Sequence, residues 1–301
     1  MIDPIDPWPG ELRAVGGRRL HVRAGGNGGS RVVYLHGLGG SSTDWTDLMG
    51  ALADGHHGEA PDLPGFGLSP PPDDGDYSVD AHAAAAAEVI RSGAHPVHLV
   101  GNSLGGSVAV RLAAEHPELV RTLTLISPAM PDLRPRLVPY QMAGALFPVI
   151  GPAVYTRIQS RPAEVRVQDM LDATYYDPAS VPAQRVMEAL EAERERERCG
   201  HAVESVLESL RGLVAEYLRR GPRSLWRQAA GLRMPSLLVY AVADRFIDPR
   251  IARRAARVFP RNRLVLMNET GHVAMMERPE AVARELRPFL SGADAARTRP
   301  A

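Results

Sequence analysis

A mostly parallel α/β sheet with helices on both faces and an inserted helical cap is the fold class that this 301-residue chain predicts. Three observations predict it. Short apolar runs alternate with stretches whose apolar residues recur at helical spacing, the pattern of parallel strands joined by crossover helices. The run "VHLV" (97–100) passes through "GNSLG" directly into helix-spaced apolar residues, so the chain reverses sharply there. Residues 131–233 break the alternation with proline-punctuated apolar helices and a charged run, which is the texture of an insertion. Residues 1–130 and 234–291 then form two parts of one core, and 292–301 a flexible tail.

The elements follow in order. "ELRAVGGRRLHVRAG" (11–25) reads as two strands around Gly16-Gly17, a hairpin signal. "RVVYLHG" (31–37) is an apolar strand ending in His-Gly, "PDLPGFGLS" (61–69) a loop, and "SVDAHAAAAAEVIRSG" (78–93) a helix. "PVHLVGN" is the next strand, residues 104–116 a helix stopped by Pro117, and "VRTLTLISP" (120–128) a strand. Inside the insertion, "MEALEAERERER" (187–198) mixes favourable and unfavourable charge spacings and is expected as a solvated helix face, followed by an amphipathic helix to about Leu218. "PSLLVYAVAD" (235–244) is a strand, 249–258 a helix, "NRLVLMN" (262–268) a strand and "MERPEAVARELRPFL" (276–290) the closing helix.

Composition narrows the function. Hydrophobic residues make up 45% of the chain, and 35 basic residues balance 35 acidic ones. That balance argues against nucleic acid and for a small, weakly charged partner, and the uncharged residues 137–155 point to an apolar substrate. The single cysteine, Cys199, excludes an internal disulfide and a cysteine metal cluster. "MIDPIDPWPG" has acid and proline where a secretory signal has basic and apolar residues, and it reads as cytoplasmic. Residues 137–155 carry no charge, but Pro139, Pro148 and Pro152 interrupt them, which argues against a membrane span.

The turn at Ser103 raises the chemistry. A Cβ at position 101 or 105 would collide with the neighbouring element or forbid the backbone angles, so glycine at both permits a tight reversal that presents the serine hydroxyl at a helix N-terminus. The motif "GNSLG" resembles the nucleophile elbow of the α/β-hydrolases, and the rest of the chain resembles that family in the same order. In that family the catalytic histidine follows the last strand, which implies His272 of "NETGHVAMME" as the base. The resemblance implies Asp244 of "VYAVADRFIDP" as the acid, with Ala241 standing where glycine is usual. Asp248, just before Pro249, is expected to cap a helix instead. "LHGLGGSSTDW" resembles the family's His-Gly loop and implies an oxyanion hole formed by the backbone N–H groups of Leu38 and Leu104. His36 is expected to hold that loop by hydrogen bonds, and Asp62 to form a turn. Trp45 is expected beneath the loop or at the pocket entrance. Substrate contacts are expected from Trp45, Met142, Phe147 and Val273, and the chemistry requires no metal and no organic cofactor.

Serine rather than aspartate at the elbow argues against haloalkane dehalogenases and most epoxide hydrolases of this family. The resemblance implies an ester hydrolase working through an acyl-enzyme on Ser103. Carbon–carbon bond hydrolases of aromatic ring cleavage are the alternative, although Val273 and Gly39-Gly40 depart from their usual pattern. A non-catalytic binding protein on the same fold is the third reading. The uncharged 137–155 stretch either packs the cap on the core or roofs the site over a lipophilic substrate.

Overall fold

The computed structural model describes residues 4–132, 136 and 156–298. Among the described residues, eight strands form one sheet in the order β1-β2-β4-β3-β5-β6-β7-β8. They are β1 Gly10–Val15, β2 Arg18–Gly25, β3 Ser30–Leu35, β4 His56–Pro61, β5 Val97–Asn102, β6 Val120–Ile126, β7 Ser236–Ala241 and β8 Asn262–Met267. The β1-β2 hairpin and the β2-β4 pair are antiparallel, and every later pair is parallel.

Alternate residues of each central strand face opposite layers. On one face Val33, Leu35, Leu99, Leu123 and Leu238 pack against α2 (Val79–Arg91), α3 (Leu104–Glu115), α7 (Leu225–Gly231) and α8 (Arg250–Val258). On the other, Val32, Tyr34, Val100 and Val239 pack against α1 (Thr46–Leu52), the short α9 (Ala274–Glu277) and α10 (Pro279–Thr298). Each large apolar side chain so buried contributes roughly 1.5–3 kcal/mol. The insertion supplies α4 (Ala163–Thr174), α5 (Ala183–Arg198) and α6 (Ala202–Leu218). Among the described residues no helix is long and apolar enough to cross a membrane.

Several elements depart from the sequence expectation. "HHGEAP" has no apolar alternation, yet it forms β4, because β2 and β3 pair with it on either side. The expected tail is helical through Thr298: Asp294 accepts hydrogen bonds from Arg121, His98 and Ser30, which ties the end of α10 beneath the sheet. The 187–198 run is more than a solvated face. Buried Glu193 pairs with Arg166 of α4 at 2.8 Å, and Arg196 donates to the carbonyl of Gly39 at 2.8 Å. Lastly, α7 buries Leu225 and Ala229 in the core layer beside α3, so the end of the 131–233 segment packs as core.

Candidate active site

The elbow forms because two glycines let α3 lie against the sheet. A Cβ on Gly101 would meet the backbone of Gly105, and one on Gly105 would meet the carbonyl oxygens of Leu35 and His36. Ser103 between them has φ 52° and ψ −117°, a conformation that costs a residue with a side chain about 1–3 kcal/mol. The surroundings hold it there. Ser103 donates its N–H to Ile126, and its carbonyl accepts from Gly106, Ser107 and Ala129. Asn102 and Leu104 on either side are buried, whereas Ser103 is partly exposed.

Peptide geometry then aims two donors. The carbonyl of Gly37 accepts from His36 Nδ1 at 2.7 Å and from the Gly40 N–H at 3.1 Å. Because a trans peptide sets its N–H opposite its C=O, these two bonds also fix the direction of the Leu38 N–H. His36 Nε2 accepts from the Leu63 N–H at 3.0 Å, which assigns the proton to Nδ1. Burial lowers the His36 pKa, so the ring stays neutral and keeps this tautomer. His36 thus holds the loop as expected. The Leu104 N–H lies at the first position of α3, where a helix provides no partner for it.

His272 is fixed on four sides. Its Nδ1 lies 2.8 Å from Asp244 Oδ2, and its backbone N–H donates to the Thr174 carbonyl at the end of α4 at 2.6 Å. Its own carbonyl accepts from Asn102 Nδ2 at 3.2 Å, and Phe246 lies against the ring with centroids 4.7 Å apart. The Asn102 bond brings the histidine loop directly to the residue preceding Ser103. With Nδ1 committed to Asp244, Nε2 is the nitrogen left to take a proton.

Asp244 is 1% exposed, and its Oδ1 accepts from the Phe246 and Ile247 N–H groups at 2.8 and 2.9 Å. Burial alone would raise its pKa, but the charge and hydrogen bond of His272 and the Ile247 N–H hold it below the ordinary range. Asp248 does not reach the imidazole. Its oxygens accept from the Arg250 N–H and guanidinium at the start of α8, which is a capping arrangement.

Other expected residues sit differently. Trp45 is 0% exposed and packs on Tyr34 at a centroid distance of 5.2 Å, which places it in the core layer and not at a pocket entrance. Val273 packs between the core layer and the cluster of Val167, Leu171 and Tyr175 on and just after α4. Met142 and Phe147 lie outside the described residues. Asp62 forms the expected turn, its carboxylate accepting from the N–H groups of Ser42 and Leu68, and it also pairs with buried His21 at 2.8 Å. Sequence reading missed Asn102 and Phe246; their signal was only their adjacency to Ser103 and Asp244. A cleft of about 80 Å³ between the 65–68 turn and the end of α5, lined by Phe66, Arg196 and Cys199 among others, is not lined by Ser103, Asp244 or His272.

Several known proteins resemble this chain. Lipase 3 of Moraxella sp. (strain TA144) is 26% identical over 271 residues, covering 88% of this chain and 78% of the relative. A 2-hydroxy-6-oxononadienedioate/2-hydroxy-6-oxononatrienedioate hydrolase of a Pseudomonas sp. is 26% identical over 299 residues, 95% of each chain. Among solved structures, a membrane phospholipase A superposes with a TM-score of 0.78 at 26% identity, covering 95% of this chain and 86% of its own. Cfl2 from Burkholderia cenocepacia superposes with a TM-score of 0.79 at 25% identity, covering 95% and 99%. The family model for the alpha/beta hydrolase fold matches residues 30–279, which span the elbow, the Asp244 turn and the His272 loop, and this chain belongs to the α/β-hydrolase fold family.

Proposed function

We propose that the protein is a serine hydrolase that cleaves a lipophilic carboxylic ester through an acyl-enzyme on Ser103. The observation that carries this reading is the 2.8 Å contact of His272 Nδ1 with buried Asp244, on a loop that Asn102 latches beside the strained Ser103. His272 Nε2 takes the proton as Ser103 Oγ attacks the ester carbonyl. The oxyanion that forms is met by the Leu38 and Leu104 N–H groups, each such donor being worth roughly 3 kcal/mol in the transition state. His272 then returns the proton to the leaving alkoxide, and water releases the acid by the same steps. Asp244 keeps the tautomer and stabilises the imidazolium.

The lipase relative supports the ester, and the uncharged 137–155 stretch supports lipophilicity. The lone cysteine fits a reducing compartment such as the cytoplasm. The ring-cleavage hydrolase relative favours a second reading, carbon–carbon cleavage with the same residues.

A panel of p-nitrophenyl esters beside one ring-cleavage dienoate tests both. Specificity constants should rise from acetate to medium-length acyl chains, by up to about 0.8 kcal/mol per methylene. A charge introduced at Phe147 or Met142 should flatten that rise. Ser103→Ala should abolish turnover and labelling by a serine-reactive fluorophosphonate. Turnover of the dienoate alone would select the second reading, and an unlabelled, folded wild-type protein would leave only a binding role.

A further inference from the structure

The cap and the histidine loop share a carboxylate that the chemistry above does not use. Glu277 ends α9, five residues after His272. Its Oε2 accepts from the Gly271 N–H at 2.6 Å, while its Oε1 accepts from the Tyr176 and Asp177 N–H groups at 3.0 and 3.1 Å. One oxygen therefore serves the core loop and the other serves the turn that follows cap helix α4. Among the described residues no arginine or histidine forms an ion pair with it, so the charge is directed wholly at backbone donors. Such charge-assisted bonds are roughly twice as strong as neutral ones.

The contact around it is close and reciprocal. A Cβ on Gly271 would strike the Thr174 carbonyl and the Tyr175 backbone, so only glycine lets the two segments touch. A helix leaves its last four carbonyls without internal partners. Two of those of α4 are taken up by the site's loops: Asp172 accepts from Arg245 at 2.5 Å, and Thr174 accepts from the His272 N–H at 2.6 Å. If the cap lifts here, the His272 N–H, the Arg245 guanidinium and half of the Glu277 carboxylate all lose their partners together. The imidazole would then rely on Asp244, Asn102 and Phe246 alone.

We infer that Glu277 is a positioning residue that couples seating of the cap to the placement of His272, so that the base is held in register only when the cap is down. The inference rests on the hydrolase reading for its catalytic consequence but not for the coupling itself. In Glu277→Gln one amide oxygen still accepts but the charge is gone; in Glu277→Ala nothing accepts.

Two measurements on the intact chain test this. Amide exchange should accelerate in Glu277→Ala both across 174–177 and across 269–273, and Glu277→Gln should fall between it and the wild type. On the ester that the wild type prefers, kcat should drop roughly tenfold to a hundredfold in Glu277→Ala, the loss expected for bonds of this strength, with KM changed less than about threefold. Glu277→Gln should recover only part of that loss, because its NH₂ opposes the backbone donors on one side of the bridge. Faster exchange on one side only overturns the coupling, as does an unchanged kcat when both sides loosen. Loss of cooperative melting in Glu277→Ala passes the decision to Glu277→Gln, whose exchange must loosen both segments together. If the wild type hydrolyses no substrate, the exchange result still decides the coupling, and the failure belongs to the hydrolase reading.

Discussion

Replacing Asp244 by Asn separates the two aspartates that follow β7. The carboxylate does three things in the structure: Oδ1 takes the Phe246 and Ile247 N–H groups, and Oδ2 takes the proton on His272 Nδ1. An amide can keep the first two through its oxygen, but its NH₂ then faces Nδ1. To avoid opposing two donors, the imidazole shifts its proton to Nε2, the atom that must accept from Ser103. The loop stays folded and the base is disarmed. In comparable triads this change lowers kcat roughly 10⁴-fold, about 5 kcal/mol of transition-state stabilisation. Asp248→Asn weakens contacts with Arg250 at the start of α8 and with Arg136 at 4.0 Å, so about 1 kcal/mol of stability is at stake and activity should persist. Steady-state turnover of a p-nitrophenyl ester, normalised to folded protein, measures both. Activity of Asp244→Asn within tenfold of wild type would refute the tautomer argument, and a larger loss in Asp248→Asn would transfer the acid's role.

Other outcomes follow from the same contacts. His36→Ala leaves the Gly37 carbonyl held by the Gly40 N–H alone and loosens the direction of the Leu38 N–H, so kcat should fall by up to roughly the 3 kcal/mol of one oxyanion donor; an unchanged kcat in folded protein would remove His36 from that role. Burial pushes the His98 imidazole down to about 4, so the unfolded chain binds a proton there that the folded chain refuses. This stability is complete above about pH 6.5 and is lost as pH falls toward 4, by about 3 kcal/mol at most. Urea midpoints should therefore drop less between pH 7 and pH 4.5 in His98→Gln than in the wild type. Asp294→Ala leaves Arg121, His98 and Ser30 without their shared acceptor and should lower stability by roughly 1–3 kcal/mol, visible in a melting curve; an unchanged Tm would show that the end of α10 is held by packing alone.

What could be read from the residues alone was local in origin. The elbow was legible because close approach demands glycine at 101 and 105 whatever the rest of the chain does, and the structure shows both glycines in that contact. The central strands and the helices beside them were legible because burial on both faces leaves a continuous apolar run. Distance along the chain hid the rest. Nothing in "HHGEAP" signals a strand until β2 and β3 offer it partners, and nothing in Asp294 signals an anchor until α10 carries it under the sheet to Arg121. Trp45 could line a pocket or fill a core, and packing on Tyr34 selected the core. Asp244 and Asp248 carry the same carboxylate four residues apart; only the fold brings one to 2.8 Å from His272 and turns the other to Arg250. Asn102, Phe246 and Glu277 were invisible for the same reason: each acts on a segment distant in sequence or through backbone N–H groups that carry no residue identity. Spacing along a chain reports what one segment demands of itself, whereas hydrogen-bond partners between segments exist only once the chain has closed on itself.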